Sequence, residues 1–125
     1  MSAPVGPYTP IVRAGDWLVV AGQVGQKDGK LVSGGTQAQL RQAIENLRTL
    51  LESEGASLSS VVKTTVFLHH MSDYKAMNET YMTAFGDHRP ARSAVGVAEL
   101  PLNSLVEIEA WAWTGADARG GDQSA

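Results

Sequence analysis

The sequence predicts an α+β fold in one domain, a mixed sheet covered by two helices on one of its faces. Three observations carry this prediction. The 125 residues suit a single domain. One segment has clear helical periodicity, and several short segments have the apolar, β-branched composition of strands. The order along the chain is hairpin, helix, strand, helix, hairpin, which places two helices against one sheet.

Trp17-Leu18-Val19-Val20-Ala21 is a short apolar run that stops at Gly22, the pattern of a buried strand. Asp28-Gly29 is a strong turn signal and predicts a hairpin out to Lys30-Leu31-Val32. Gly34-Gly35 breaks the chain again. From Thr36 to Glu54, Leu40, Ile44, Leu47 and Leu51 recur at i, i+4, i+7 and i+11, with Ala43 and Leu50 alongside. Gln, Arg and Glu fill the opposite face of this helix, and Gly55 stands where a left-handed residue closes one.

Val61–Leu68, rich in Val, Thr and Phe, is a strand. Ser72 or Asp73 caps a second helix, whose apolar stripe is Tyr74, Met77, Tyr81 and Phe85; Gly86 and Pro90 end it. Ala91–Ala98 and Leu105–Trp113 are two more strands, joined through a turn that holds Pro101 and Asn103. The domain is 1–113. Residues 114–125, Gly-, Ala- and polar-rich without periodicity, are expected to form a disordered tail. Two helices cover one sheet face, and no third helix exists for the other. Burial against further subunits is the economical solution.

Composition narrows the function. Hydrophobic residues at 43% and charged residues at 18% describe a globular chain. The absence of cysteine excludes disulfides, thiolate catalysis and Cys-based zinc sites. Ten Lys and Arg stand against 13 Asp and Glu, a net charge of −3 with no basic cluster. A nucleic-acid binder usually carries the opposite surplus. The opening MSAPVGPY has neither the basic nor the apolar region of a signal peptide, and no apolar run approaches the length of a membrane span. A cytoplasmic location is expected, in which the sequon Asn78-Glu79-Thr80 carries no glycan.

Strand 91–98 is the most informative segment. Alternation puts Arg92 on one face with Ala94, Gly96 and Ala98. Small neighbours leave room, and an arginine away from water needs an anion. One reading is a pocket whose wall holds a carboxylate through two parallel N–H···O bonds. The other is a structural ion pair with Glu107 or Glu109 on a neighbouring strand. On strand 105–113, Glu107, Glu109, Trp111 and Trp113 share a face, either a solvated one or one that offers a general base to a water. His69-His70 is a poor metal site, because adjacent strand residues point to opposite faces and His88 is far along the chain. No G-x-S-x-G, P-loop or G-x-G-x-x-G is present, so neither serine catalysis nor a nucleotide cofactor is expected. Neither a metal nor any other cofactor is expected.

Seven stretches in order resemble the RidA/YjgF family. They are Gly6-Pro7-Tyr8, Gly22-Gln23, QAQLRQAIENL at 37–47, VVKTTVFL at 61–68, Asn78-Glu79-x-Tyr81, Pro90-Ala91-Arg92-Ser93-Ala94-Val95 and Val106-Glu107-Ile108-Glu109-Ala110. The resemblance spans about residues 4 to 113. It implies a chorismate-mutase-like fold and a homotrimer whose sheets turn inward into a barrel-like core, with a pocket in each cleft between subunits. It implies hydrolysis of 2-imino acids and their enamine tautomers to 2-keto acids and ammonia.

By position, Arg92 would bind the substrate carboxylate and Glu107 would position the attacking water. Tyr8, Gly22, Asn78 and Ala94 would line the pocket, Gly22 and Ala94 through backbone groups. Four departures bear on substrate choice more than on reaction type. Ala21 stands where many members have serine, Ala94 where well-known members have cysteine, Val24-Gly25 replaces a more usual Ile-Pro, and His88-Arg89 precedes the arginine motif.

Three other functions compete: a non-catalytic ligand-binding or chaperone-like trimer, an endoribonuclease, and a pathway-specific deaminase. The last would take a longer, aminomuconate-like enamine whose second charge meets His88 and Arg89.

Overall fold

The computed structural model describes residues 4–116. Strands β1 (Ile11–Ala14) and β2 (Trp17–Val24) lead to a small hairpin, β3 (Gln26–Lys27) and β4 (Lys30–Leu31). Helix α1 (Gly35–Ser53), strand β5 (Val61–Leu68), helix α2 (Tyr74–Phe85) and strands β6 (Ala91–Gly96) and β7 (Val106–Trp113) follow. One five-stranded sheet has the order β1-β2-β7-β5-β6. It is mixed: β5 and β6 run parallel, joined through α2, and the other pairs are antiparallel.

The predicted helices form because their apolar stripes meet one sheet face. Leu40, Ala43, Ile44, Leu47, Leu50 and Leu51 of α1 are buried against Leu18 and Val20 of β2, Val66 and Leu68 of β5, and Ile108 and Ala110 of β7. The end of α1 is a Schellman closure: the Ala56 N–H donates to the Leu51 carbonyl at 2.9 Å and the Gly55 N–H to the Glu52 carbonyl at 3.1 Å. Gly55, at φ 79°, supplies the left-handed residue. Asp73 precedes α2 but makes no side-chain cap. Its carboxylate instead accepts the Thr36 hydroxyl at 2.7 Å, tying the starts of the two helices together. They therefore run side by side in the same direction.

The hairpins differ from the sequence reading. The Asp28-Gly29 turn joins only the two-residue strands β3 and β4. Strand β2 continues past Gly22 and pairs with β1, which sequence reading does not assign, and with β7. The last two strands are not a hairpin, because β5 lies between β6 and β7. The crossover through α2 carries the chain to the sheet edge, where β6 lies parallel to β5, and the turn at Pro101–Asn103 returns it to the sheet interior. Beyond β7, residues 114–116 pack back: the Thr114 N–H donates to the Asp16 carbonyl at 2.8 Å. The disorder expected over 117–125 falls outside the described residues.

The opposite sheet face has no helix among the described residues. It carries Trp17 edge-on to Trp111 and Trp113, with ring centroids 5.9 and 4.9 Å apart. Val12, Val95 and Trp111 on this face are exposed.

Helix α1 approaches the end of β2 through Gly25. A Cβ at Gly25 would lie 2.4 Å from the Gln39 carbonyl oxygen, and Gln39 holds the Leu105 N–H at 2.8 Å through its own side chain. Backbone cannot yield as a side-chain tip can, so Gly25→Ala should cost about 2 kcal/mol, as overpacked cores do. Urea unfolding of wild type and variant measures this. An unchanged midpoint would show that α1 moves freely.

Candidate functional site

The six predicted site residues fall into two groups on opposite faces of the sheet. Arg92 pairs with Thr64 and Glu107 with Phe67 on the shared neighbour β5. Those partners are an odd number of residues apart, so Arg92 lies on the helix-covered face and Glu107 on the open one.

On the helix-covered face, Arg92 sits beneath α2. Its Nη2 donates to the Tyr74 hydroxyl at 3.2 Å and its Nη1 contacts the Met77 sulfur at 3.5 Å. Its Cζ is 4.8 Å from the Tyr81 ring centroid and 5.7 Å from that of Tyr74. The Tyr81 hydroxyl is fixed by the buried Thr64 hydroxyl at 2.7 Å, and burial pushes its ionisation up. Arg92 therefore rests on an aromatic platform, and among the described residues it has no carboxylate partner. The expected ion pair with Glu107 or Glu109 does not form. Strand β7 is not beside β6, and Glu107 and Glu109 point to the other face.

Ala94 shares the Arg92 face and packs on the core. Asn78 lies one turn after Tyr74 on α2, and its buried side-chain oxygen has no hydrogen-bond partner among the described residues. Of the stripe the sequence presents as core, Met77 and Tyr81 are buried and also hold the guanidinium, whereas Tyr74 is exposed and meets it from outside the core. The periodicity of α2 together with Arg92 contains that signal only once β6 is known to lie under this helix.

On the open face, Glu107 lies against the backbone of β2. A bulge sets this arrangement: Val20 pairs with Ala110 and Gln23 with Ile108, so Ala21 and Gly22 together oppose Glu109. The extra residue puts Val24, not Gln23, opposite Glu107. Gly22 leaves the necessary space, since a Cβ there would lie 2.6 Å from the Glu107 carboxylate. Tyr8, in the segment before β1, lines the same small cleft with Pro4, Val5 and Val24. The Tyr8 hydroxyl accepts the Val5 N–H at 3.3 Å. The Glu107 side chain makes no hydrogen bond among the described residues. Burial, and secondarily the like charge of Glu109, raises its pKa above the ordinary carboxylate value.

Thus Tyr8, Gly22 and Glu107 come together, Arg92 sits with Ala94 and the Tyr74–Tyr81 stretch of α2 that contains Asn78, and the fold of one chain does not join the two groups. His88 and Arg89 are drawn back into the chain. His88 Nε2 bonds the Val61 carbonyl at 2.7 Å, and Arg89 bonds the Gly86 carbonyl of its own turn. The His69 and His70 rings do not diverge as strand residues would, because β5 ends at Leu68; their centroids are 4.2 Å apart. Among the described residues, no three His, Cys, Asp or Glu side chains gather as a metal site would require.

Comparison with known proteins adds to this geometry. The family model described as Endoribonuclease L-PSP matches residues 1–114. The RutC family protein of Pyrococcus horikoshii is 46% identical over 112 residues, 88% of this chain and 89% of that protein. The 2-iminobutanoate/2-iminopropanoate deaminase of Mus musculus is 44% identical over 115 residues, 90% of this chain and 85% of that protein. Among solved structures, RidA from an Antarctic Psychrobacter superposes with a TM-score of 0.86 at 37% identity, covering 89% of this chain and 91% of that one.

The raised pKa of Glu107 has a consequence for stability. A carboxyl whose folded pKa exceeds its unfolded value stabilises the fold below the unfolded value and loses that contribution as pH rises through the folded one. Ionised Glu107 therefore costs stability at neutral pH, and Glu107→Gln should be more stable than wild type there. The advantage should shrink as pH falls to about 4, near the unfolded carboxyl value. Urea titrations at both pH values measure it; an equal difference at both would contradict the burial argument.

Proposed function

The chain belongs to the Endoribonuclease L-PSP family, also named RidA/YjgF, and on that premise we propose that it hydrolyses small 2-imino acids and their enamine tautomers to 2-keto acids and ammonia. The observation that carries this reading is the half-buried Arg92 guanidinium, ordered by Tyr74 and Tyr81 and without a carboxylate partner among the described residues. A cation held ready in this way suits a carboxylate taken in two parallel N–H···O bonds. Relatives named as 2-iminobutanoate/2-iminopropanoate deaminases, the mouse protein among them, support the substrate class.

Arg92 fixes the substrate carboxylate, and Glu107 orients a water on one face of the C=N carbon. Glu107 takes a proton from that water as its oxygen bonds to carbon, the C=N electron pair moves to nitrogen, and Glu107 passes the proton to that nitrogen; the new hydroxyl then gives its own proton to the amine by way of Glu107. The tetrahedral intermediate then loses ammonia to leave the keto acid. A base with a raised pKa is well matched to taking a proton and returning it at neutral pH. Positioning and electrostatics drive the reaction, and no redox step or covalent intermediate is required.

Since Arg92 and Glu107 face opposite ways in one chain, the site is completed by a second copy. One copy brings Tyr8, Gly22 and Glu107; its neighbour brings Arg92, Ala94 and the partnerless Asn78 oxygen. The exposed apolar residues on the open sheet face, Val12, Val95 and Trp111, support an assembly with sheets turned inward, a trimer with a barrel-like core and a chorismate-mutase-like protomer. Arg89, bonded to its own turn, gives no special support to a dicarboxylate substrate.

The test generates 2-iminobutanoate in place with a threonine dehydratase and follows keto-acid formation. Wild type should accelerate it. Arg92→Ala should lose about 10²-fold in kcat/KM, in line with two lost charge-assisted bonds, while sedimentation still shows the trimer. Tyr74→Phe, which removes one hydroxyl from the guanidinium, should raise KM by about three- to tenfold and leave kcat nearly unchanged. Full activity in Arg92→Ala would reject the assignment.

A further inference from the structure

Helices α1 and α2 are tied by side-chain hydrogen bonds at their starts. There Thr36 bonds Asp73, and the Gln37 side-chain amide donates to the Ala76 carbonyl at 3.1 Å. Further along, α2 presents Thr80, Thr83 and Ala84, which are too small to fill the space between the helices. A groove of about 390 Å³ results, floored by Ile44, Leu58 and Ala84. That volume is within the range of small-molecule sites, roughly 300–1,000 Å³. It lies on the helical layer, away from both Arg92 and Glu107.

The charges around this groove are unusual. Arg41 would ordinarily pair with Glu45 one turn on. Glu45, however, is held by Arg48, which also takes Glu52 at 2.8 Å. The Arg41 side chain is left with no ion pair or hydrogen bond among the described residues. Glu79, which lines the same groove from α2, has none through its side chain either. A free guanidinium and a free carboxylate thus stand on opposite walls above an apolar floor.

We propose that this groove binds a free α-amino acid with an apolar side chain. The ligand's carboxylate sits on Arg41, its ammonium on Glu79, and its side chain over Ile44, Leu58 and Ala84. A zwitterion complements the two walls at once. A simple anion or cation would satisfy one wall and leave the other unmatched. The proposal does not depend on the imine reaction.

Amide-resolved NMR of the full chain, titrated with L-leucine, tests it. Saturable shifts are expected at Arg41, Ile44, Thr80 and Ala84 through the millimolar range. Binding should weaken about tenfold for 4-methylpentanoate, which lacks the ammonium, and for 3-methylbutylamine, which lacks the carboxylate. Arg41→Gln and Glu79→Gln, both at exposed positions, should each weaken leucine binding by a similar factor. Absence of saturable shifts, shifts confined to the surroundings of Arg92 and Glu107, or equal binding of the single-charge analogues would each overturn the proposal.

Discussion

A five-stranded sheet has two faces, and the two helices of this chain cover one. Both helices lie on the same side, because α1 joins β2 to β5 and α2 joins β5 to β6, each a crossover between parallel strands in the same direction along the sheet, and right-handed crossovers of that kind fall on one face. The rest of the molecule follows from that one-sided cover. Side chains at even and odd positions of each strand meet different surroundings. One set, including Val66, Leu68, Ile108 and Ala110, forms the core. The other set, including Trp111, Val95 and Val12, remains at the surface of the isolated chain.

The same constraint separates the charges that matter. Arg92 falls on the helical side at the sheet edge, where α2 supplies aromatic rings but no carboxylate. Glu107 falls on the open side, where the bulge in β2 and the missing side chain of Gly22 make room for it. Neither charge has an ion-pair partner among the described residues, and each costs something to hold. Contact with two tyrosine rings offsets part of the cost for Arg92, by about 0.5–2 kcal/mol for such interactions. Glu107 has no such compensation, and its pKa rises accordingly. Charges held in this way are poor contributors to stability and good ones to binding, because a substrate recovers what the fold has left unspent.

The bulge shows how one extra residue decides the surroundings of a side chain. Without it, Gln23 would stand opposite Glu107 and its amide could occupy the carboxylate. With it, Val24 takes that place, and the Gln23 amide donates to the Ala21 carbonyl at 3.0 Å instead. The carboxylate has no hydrogen-bond partner among the described residues.

Much of this was legible in the residues. The 3.6-residue spacing of Leu40, Ile44, Leu47 and Leu51 determined α1, Val, Thr and Phe composition determined β5, and alternation assigned the faces of β7, because local periodicity reports which face of an element will be buried. Ordered motifs such as PARSAV and VEIEA identified the family and singled out Arg92 and Glu107. Strand neighbours were not legible, since β1 is short and β5 inserts between β6 and β7, and hydrogen-bond pairing between distant segments leaves no local mark. Nor did sequence place Arg92 over Tyr74 and Tyr81, or Gly22 against Glu107. Those contacts depend on which strand edges meet and on a one-residue register shift, and both are decided only when helices and sheet pack together.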